Sequence, residues 1–140
     1  MYHLLEKAIS IALAAHKGQV DKGGNPYILH PIRVMGSVKT MEEKIIALLH
    51  DVVEDSDITI EQLKKEGFSE STLEAINLLT KTSDCSYEDY LLRIKSNKLA
   101  LEIKKADLMD NLDNSRLAEL NSSDYKRIDK YKKALDLLNS

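Results

Sequence analysis

The sequence has few of the residues that stabilise small secreted or membrane proteins. It contains one cysteine, Cys85, among 140 residues, which excludes an internal disulfide framework and a cysteine-based zinc site. Its longest apolar runs are five residues, far short of the roughly 20 that cross a bilayer. The first apolar stretch has no basic region before it and is interrupted by Glu6 and Lys7, so it predicts an amphipathic helix and not a signal peptide. A cytoplasmic location is expected.

An excess of basic charge is also missing, and aromatic residues are rare. The net charge is −3 and aromatic residues make up 5% of the chain. Non-specific binding to nucleic acid requires a basic face, and a base-stacking platform requires aromatic side chains. We therefore expect neither nucleic acid nor a membrane as a partner.

Proline and glycine, which interrupt helices, number only two and five. Apolar residues recur every three to four positions, as is typical of core-facing helices; in the first segment they are Leu4, Ala8, Ile11 and Ala15. No convincing period-two alternation indicates a strand. The sequence predicts one all-α domain over residues 1–140, a helical bundle of about seven to eight helices.

Capping motifs indicate where helices begin. Residues 40–43 and 59–62 each place threonine three positions before Glu or Gln, the pattern of a capping box. The first motif precedes a helix that is apolar on more than one face, and this helix is therefore expected to be central. It is predicted to continue through His50 and Asp51 to Val53.

The only sizeable cluster of glycine and proline lies in residues 19–29. Within it, Lys22 adjoins two glycines, and exposed backbone N–H groups beside a lysine can hold phosphate. The loop is not a P-loop, because the Gly-x4-Gly-Lys-Ser/Thr pattern is absent. Pro31 predicts the start of a short helix ending near Val38, and His30 before it is expected to be extended.

Four dispersed residues are of the types that bind divalent metals. Neutral imidazole and carboxylate groups form a ligand set that suits Mn²⁺, Fe²⁺ or Zn²⁺. Read singly, each residue also fits a plain structural role, at a helix start, a helix end or a charged surface stripe. His3 and His16 are expected to be structural or exposed. The four candidate metal ligands are His30, His50, Asp51 and Asp107.

A second acidic pair follows the His-Asp pair by one helical turn. Glu54 is four residues after His50, and Asp55 is four after Asp51, so in a continuous helix the four groups form one acidic wall. A solvated helix end is the alternative interpretation.

Further polar residues could contact a phosphorylated ligand. Lys104, Asp107 and Asn111 share one helix face by their spacing. Lys81 and Arg116 are further candidate phosphate contacts. For the cations, a solvated surface position is the alternative.

Three segments together resemble the HD-domain metal-dependent phosphohydrolase superfamily. The closer resemblance is to the hydrolase domain of the RelA/SpoT alarmone enzymes and their small single-domain relatives. AHKGQVDKGGNPYILHP is similar to the opening motif of that family. ALLHDVVEDS is similar to its His-Asp motif with the trailing Glu-Asp, and KKADLMDNL to its final Asp and Asn motif. These segments lie between residues 15 and 116.

The resemblance implies particular roles for these residues. One divalent metal would be bound by the four candidate ligands, with Mn²⁺ expected and Fe²⁺ or Zn²⁺ as alternatives. Glu54 and Asp55 would act on the attacking water. Asn111 and Lys22 would contact the nucleotide. Apart from the resemblance, the further expected substrate contacts are Tyr27, Lys81, Lys104 and Arg116.

The reaction implied by the resemblance is hydrolysis of the 3′-diphosphate of guanosine tetra- or pentaphosphate. Two other functions stay open, namely hydrolysis of another nucleotide and non-catalytic nucleotide sensing. Two residues depart from the family pattern. Asp21 replaces a basic residue, so that a carboxylate is expected to face a polyanionic ligand. Asp110 replaces a histidine or aromatic residue before Asn111. No synthetase domain is expected within the 140 residues.

Overall fold

A computed structural model describes residues 2–113, 117 and 119–140. Over these ranges the chain forms helices and no strand; one isolated antiparallel bridge joins Val20 and Pro26 in the loop after the first helix. The all-α prediction is confirmed. The helices are α1 (Tyr2–His16), α2 (Leu29–Gly36), α3 (Met41–Leu49), α4 (Val52–Asp55), α5 (Ile60–Lys65), α6 (Glu70–Leu79), α7 (Tyr87–Lys95), α8 (Lys98–Asn111) and α9 (Ser122–Asn139).

The centre of the bundle is α3. Residues 45–49 are all buried, and the helix packs against α1, α2, α6 and α8. Each buried leucine or isoleucine contributes about 1.5–3 kcal/mol relative to exposure. The apolar surroundings therefore fix the position of α3, and with it the residues that follow its last turn. The helix stripe predicted for α1 also faces this core, with Ala8 fully buried.

Local capping sets several helix starts as predicted. Thr40 accepts a hydrogen bond from the backbone of Glu43 while the Glu43 side chain accepts one from Thr40, and Thr59 and Gln62 form the same reciprocal pair. A cap of this kind stabilises a helix by roughly 1 kcal/mol. None of the helices in the described ranges is long and apolar enough to cross a membrane.

The predicted helix through His50 and Asp51 is interrupted in the structure. α3 ends at Leu49, and Asp51 has φ −104° and ψ −3°, which opens the separate short α4. The described residues thus form nine helices where seven to eight were expected. In a continuous helix the two side chains would diverge by about 100°, whereas this turn directs both to one place.

The expectation of an extended His30 is wrong. His30 is helical, in the first turn of α2, and its backbone N–H donates to the Tyr27 carbonyl at 2.9 Å. Pro31 follows it within the first turn, where a missing N–H costs nothing. The contacts of the His30 ring with Asp110 and Asp107 offset the steric bias against a helical residue before proline.

Candidate metal centre

His50 follows the last turn of α3 and presents one ring nitrogen to the interior. Its Nδ1 lies 2.5 Å from the Ala47 carbonyl oxygen, so Nδ1 carries the donated proton. Its Nε2 is fully buried and has no hydrogen-bond partner, although Asp51 Oδ2 is 3.0 Å away. A buried polar atom without a partner is costly. This orphaned nitrogen is well suited to bind a cation.

Two helices and the turn between α3 and α4 bring the predicted ligands together. His30 Nε2 on α2 is 2.8 Å from Asp107 Oδ1 on α8, and 3.7 Å from Asp51 Oδ2. His50 Nε2 is 3.4 Å from the same Asp107 oxygen. One ligand atom from each of the four residues lies within 4.8 Å of all the others. Two imidazoles and two carboxylates at this spacing can hold one divalent transition metal.

The charges around the cluster also favour a cation there. Burial alone would lower the pKa of His50, but the carboxylates of Asp51 and Asp107 outweigh it and raise that pKa well above its usual range. Burial opposes ionisation of Asp107, yet Lys104 and the two histidines hold its pKa well below normal. The centre therefore stabilises positive charge in the space between its carboxylates.

A ring of further side chains orients the two carboxylates. Lys104 Nζ donates to Asp107 Oδ2 at 2.9 Å, and Asn111 Nδ2 donates to Asp107 Oδ1 at 3.2 Å. The Tyr27 hydroxyl donates to Asp51 Oδ2 at 2.5 Å. Such contacts restrict the rotation of ligands and raise metal affinity.

Asp110, noted above only as a departure from the family pattern, contacts the cluster from outside. Its Oδ2 is 2.7 Å from His30 Nδ1. Arg33 donates to both carboxylate oxygens, from Nε to Oδ1 at 2.8 Å and from Nη2 to Oδ2 at 3.1 Å. Burial would raise the pKa of Asp110, but the hydrogen bonds from His30 and Arg33 lower it to about 2. The helical spacing of His30 and Arg33 signals a shared face, but sequence alone did not indicate Asp110 as their partner.

The second acidic pair lies on α4, beside the cluster. Glu54 Oε1 accepts the backbone N–H of Lys81 at 2.8 Å. Burial, followed by the charges of Asp51 and Glu54, raises the pKa of Asp55 to about 6. Gln19 Nε2 donates to the Asp55 carbonyl at 3.1 Å and links this turn to the loop after α1. The two carboxylates next to the candidate ligands thus differ, because Glu54 accepts a backbone hydrogen bond and Asp55 has a raised pKa.

A cleft of about 380 Å³ opens beside the cluster and is lined by His30 itself. Three of the predicted substrate contacts, Lys22, Tyr27 and Asn111, line it. Sequence reasoning missed three others with guanidinium or phenol side chains, one on α2 and two on α9, because only the fold brings these helices to this face. They are Arg33, Arg127 and Tyr131.

The remaining predicted substrate contacts are engaged elsewhere or lie outside the described residues. Lys104 is largely buried against Asp107, which gives it a role in orienting that ligand. Lys81 Nζ donates to the carbonyls of Thr82 and Cys85 and so stabilises the loop between α6 and α7. Arg116 is not among the described residues.

Asp21 lines the cleft, but its carboxylate is directed into its own loop. Oδ1 accepts the backbone N–H groups of Gly23 and Asn25, each at 2.9 Å. Gly24, between them, has φ +81°, a conformation that favours glycine. Asp21 thus shapes the loop that presents Lys22.

Known proteins that are similar to this chain include enzymes of the type that its sequence motifs resemble. No protein-family model matches the chain. It is 40% identical over 88 residues to a probable guanosine-3′,5′-bis(diphosphate) 3′-pyrophosphohydrolase of Synechocystis, covering 60% of the chain and 11% of that protein. It is 32% identical over 120 residues to the enzyme of that name from Aquifex aeolicus, covering 77% and 17%. The bifunctional (p)ppGpp synthase/hydrolase SpoT of Escherichia coli is 34% identical over 89 residues, covering 61% and 12%.

The chain is homologous to part of these RelA/SpoT-type proteins. The resemblance inferred from the motifs is confirmed. The chain spans only 11% to 17% of the length of these curated relatives. Its fold matches a solved structure described as a metazoan SpoT orthologue that hydrolyses ppGpp, with a TM-score of 0.76 over 98% of this chain and 86% of that one, at 23% identity.

The cluster predicts specific metal uptake. We expect the purified protein to bind about one Mn²⁺ per chain, and His50→Ala or Asp51→Ala to lose most of it, because each removes a direct donor. Elemental analysis after Mn²⁺ loading and desalting measures this. His3→Ala, at an exposed position on α1, is the control and should keep full occupancy. Equal metal-free values for wild type and both variants would show that no such site exists.

The pKa values of the histidines predict a linkage between metal and protons. Hydrogen bonds and charge from the carboxylates raise the pKa of both His30 and His50 against the effect of burial, so each ring holds a proton more strongly than an ordinary imidazole when no metal is bound. A metal needs an unprotonated Nε2. Mn²⁺ affinity should therefore rise as pH increases through these raised pKa values. Titration calorimetry in buffers of different ionisation enthalpy measures the protons released; binding without release would contradict the linkage.

Proposed function

We propose that the chain is a metal-dependent hydrolase that removes pyrophosphate from the 3′ position of guanosine tetra- or pentaphosphate. The observation that carries the proposal is the cluster of two imidazoles and two carboxylates beside a cleft with cationic side chains. The names of the homologues supply the substrate class. A cytoplasmic location, where such nucleotides occur, is part of this proposal.

His30, His50, Asp51 and Asp107 would hold the metal, for which we propose Mn²⁺. A bound divalent ion lowers the pKa of a coordinated water and neutralises phosphate charge. Lys104 and Asn111 hold Asp107, and Tyr27 holds Asp51. The two carboxylate donors are thus preorganised before substrate arrives, which reduces the cost of assembling the site.

The acidic pair on α4 would act on the attacking water. A carboxylate general base typically contributes about 10² to 10⁴ in rate, and a base works best when its pKa is near the working pH. The raised pKa of Asp55 fits that requirement. Glu54 instead accepts a backbone hydrogen bond from Lys81, which fixes its carboxylate in position.

The cleft would bind the polyanionic nucleotide. Lys22, Arg33 and Arg127 supply positive charge along its walls, and Tyr27 and Tyr131 supply ring surface. A volume of about 380 Å³ is within the range of small-molecule sites. Cations placed where phosphoryl oxygens gain charge stabilise the transition state.

The base role predicts a separation between metal binding and turnover. Glu54→Gln keeps size and polarity but removes basicity, so Mn²⁺ content should be retained while turnover falls by about 10² or more. Asp55→Asn is the matched variant. If Glu54→Gln stays within a few-fold of wild type and Asp55→Asn does not, Asp55 is the base. In that case turnover should fall as the pH drops through the pKa of Asp55, at or below about 6, because the deprotonated carboxylate is required.

The substrate assignment predicts an effect of the Asp21 charge. Asp21→Asn keeps an oxygen acceptor for the loop N–H groups while removing a negative charge from the cleft. The KM for guanosine tetraphosphate should fall by roughly threefold, because an exposed charge interaction is worth up to about 1 kcal/mol. Asp21→Ala, which loses the acceptor as well, should not show this gain.

Product analysis separates the alarmone reaction from the alternatives. Release of pyrophosphate with guanosine diphosphate from guanosine tetraphosphate supports the proposal. Turnover of other nucleotides alone, such as nucleoside 5′-phosphates, would replace it with a different hydrolase. Tight binding of the alarmone without turnover in the Mn²⁺-loaded protein would identify a sensor.

A further inference from the structure

His30 is held on both of its ring nitrogens. Nε2 faces Asp107 inside the cluster, and Nδ1 lies 2.7 Å from Asp110 Oδ2 outside it. Arg33, one turn after His30 on α2, donates to both oxygens of Asp110. The Asp110 side chain is only 11% exposed. A carboxylate from α8 therefore lies within hydrogen-bond distance of three side-chain nitrogens from a single face of α2.

We propose that Asp110, held by Arg33, is a positioning residue that fixes the tautomer of His30, with the proton on Nδ1 and Nε2 available as a metal donor. This inference rests on the proposed metal centre. An ionised carboxylate only accepts hydrogen bonds, so Nδ1 must donate to it. The hydrogen bond made by one ring nitrogen decides which nitrogen can bind metal.

Arg33 makes the arrangement selective for a carboxylate at position 110. Its two donors and the His30 N–H together require acceptors at both oxygen positions. An amide can accept only at its oxygen, and its NH₂ group can only donate. If the amide NH₂ faces Arg33 Nε, two donors oppose each other. If it faces His30, Nδ1 must accept, and the proton moves to Nε2, the atom needed for metal.

The same three residues also join α2 to α8, so a purely structural role must be distinguished from the positioning role. A structural link predicts lower thermal stability with unchanged metal affinity in the folded protein. Fixing the tautomer predicts weaker metal binding at temperatures where the protein is fully folded. It also predicts that removing the Arg33 donors relieves the effect of an amide, because the amide oxygen can then turn toward Nδ1.

The test measures Mn²⁺ dissociation constants by electron paramagnetic resonance of free Mn²⁺ for wild type, Asp110→Asn, Arg33→Met and the double variant. Loss of such a supporting contact typically weakens metal binding by about 10- to 100-fold, and Asp110→Asn should fall in this range. The double variant should bind more tightly than Asp110→Asn. Lys7→Met, which removes a surface ion pair with Glu66, is the control and should match wild type.

A tautomer measurement on the wild type keeps the inference testable if a variant does not fold. In the Zn²⁺-loaded protein, ¹⁵N spectra of the histidine rings should show His30 protonated at Nδ1 and metal-bound through Nε2. A proton on Nε2, or an Asp110→Asn affinity within twofold of wild type, would overturn the positioning role. If the wild type binds neither Mn²⁺ nor Zn²⁺, the metal centre itself is wrong, and the inference fails with it.

Discussion

Two carboxylates and two imidazoles lie within 4.8 Å of one another on the inner side of a largely apolar bundle. Burying an ion typically costs several kcal/mol unless other groups compensate it. Asp107 is compensated by Lys104, itself largely buried, and Asp51 by the Tyr27 hydroxyl. The rest of the structure is arranged around this requirement, since α2, α8 and the end of α3 must all deliver polar atoms to one place.

The parts of this architecture that depend on local sequence could be predicted. The capping boxes at Thr40 and Thr59 act within one helical turn, and the apolar run of α3 identifies the central helix without knowledge of its neighbours. The break at His50 and Asp51 could not be read in this way, because the local pattern is that of a continuing helix. The contacts that His50 makes with α8 and Asp51 makes with α2 outweigh the local preference for a continuous helix.

Contacts between distant segments were the least predictable. The four candidate ligands were found by residue type and motif resemblance, whereas Arg33 and Asp110 are 77 residues apart and gain a partner only when α2 packs against α8. Arg127 and Tyr131 line the cleft because α9 packs against α7 and α8, and their spacing on a charged helix resembles any solvated face. Lys104 is a different case, because the sequence offered it as a substrate contact and the fold buries it beside Asp107.

Both arginines that line the cleft have carboxylate partners, which affects how the cleft can recognise an anion. Arg33 pairs with Asp110, and Arg127 Nη1 donates to Asp124 at 2.9 Å. These pairs reduce the net attraction for a polyanion at long range. They also hold each guanidinium in a fixed orientation, and a guanidinium has five N–H donors, of which a carboxylate uses two at most. The arginine side chains are already ordered when the protein folds, so their ordering adds little to the cost of binding. Recognition in this cleft would therefore depend more on the match between phosphate positions and fixed N–H groups than on total charge.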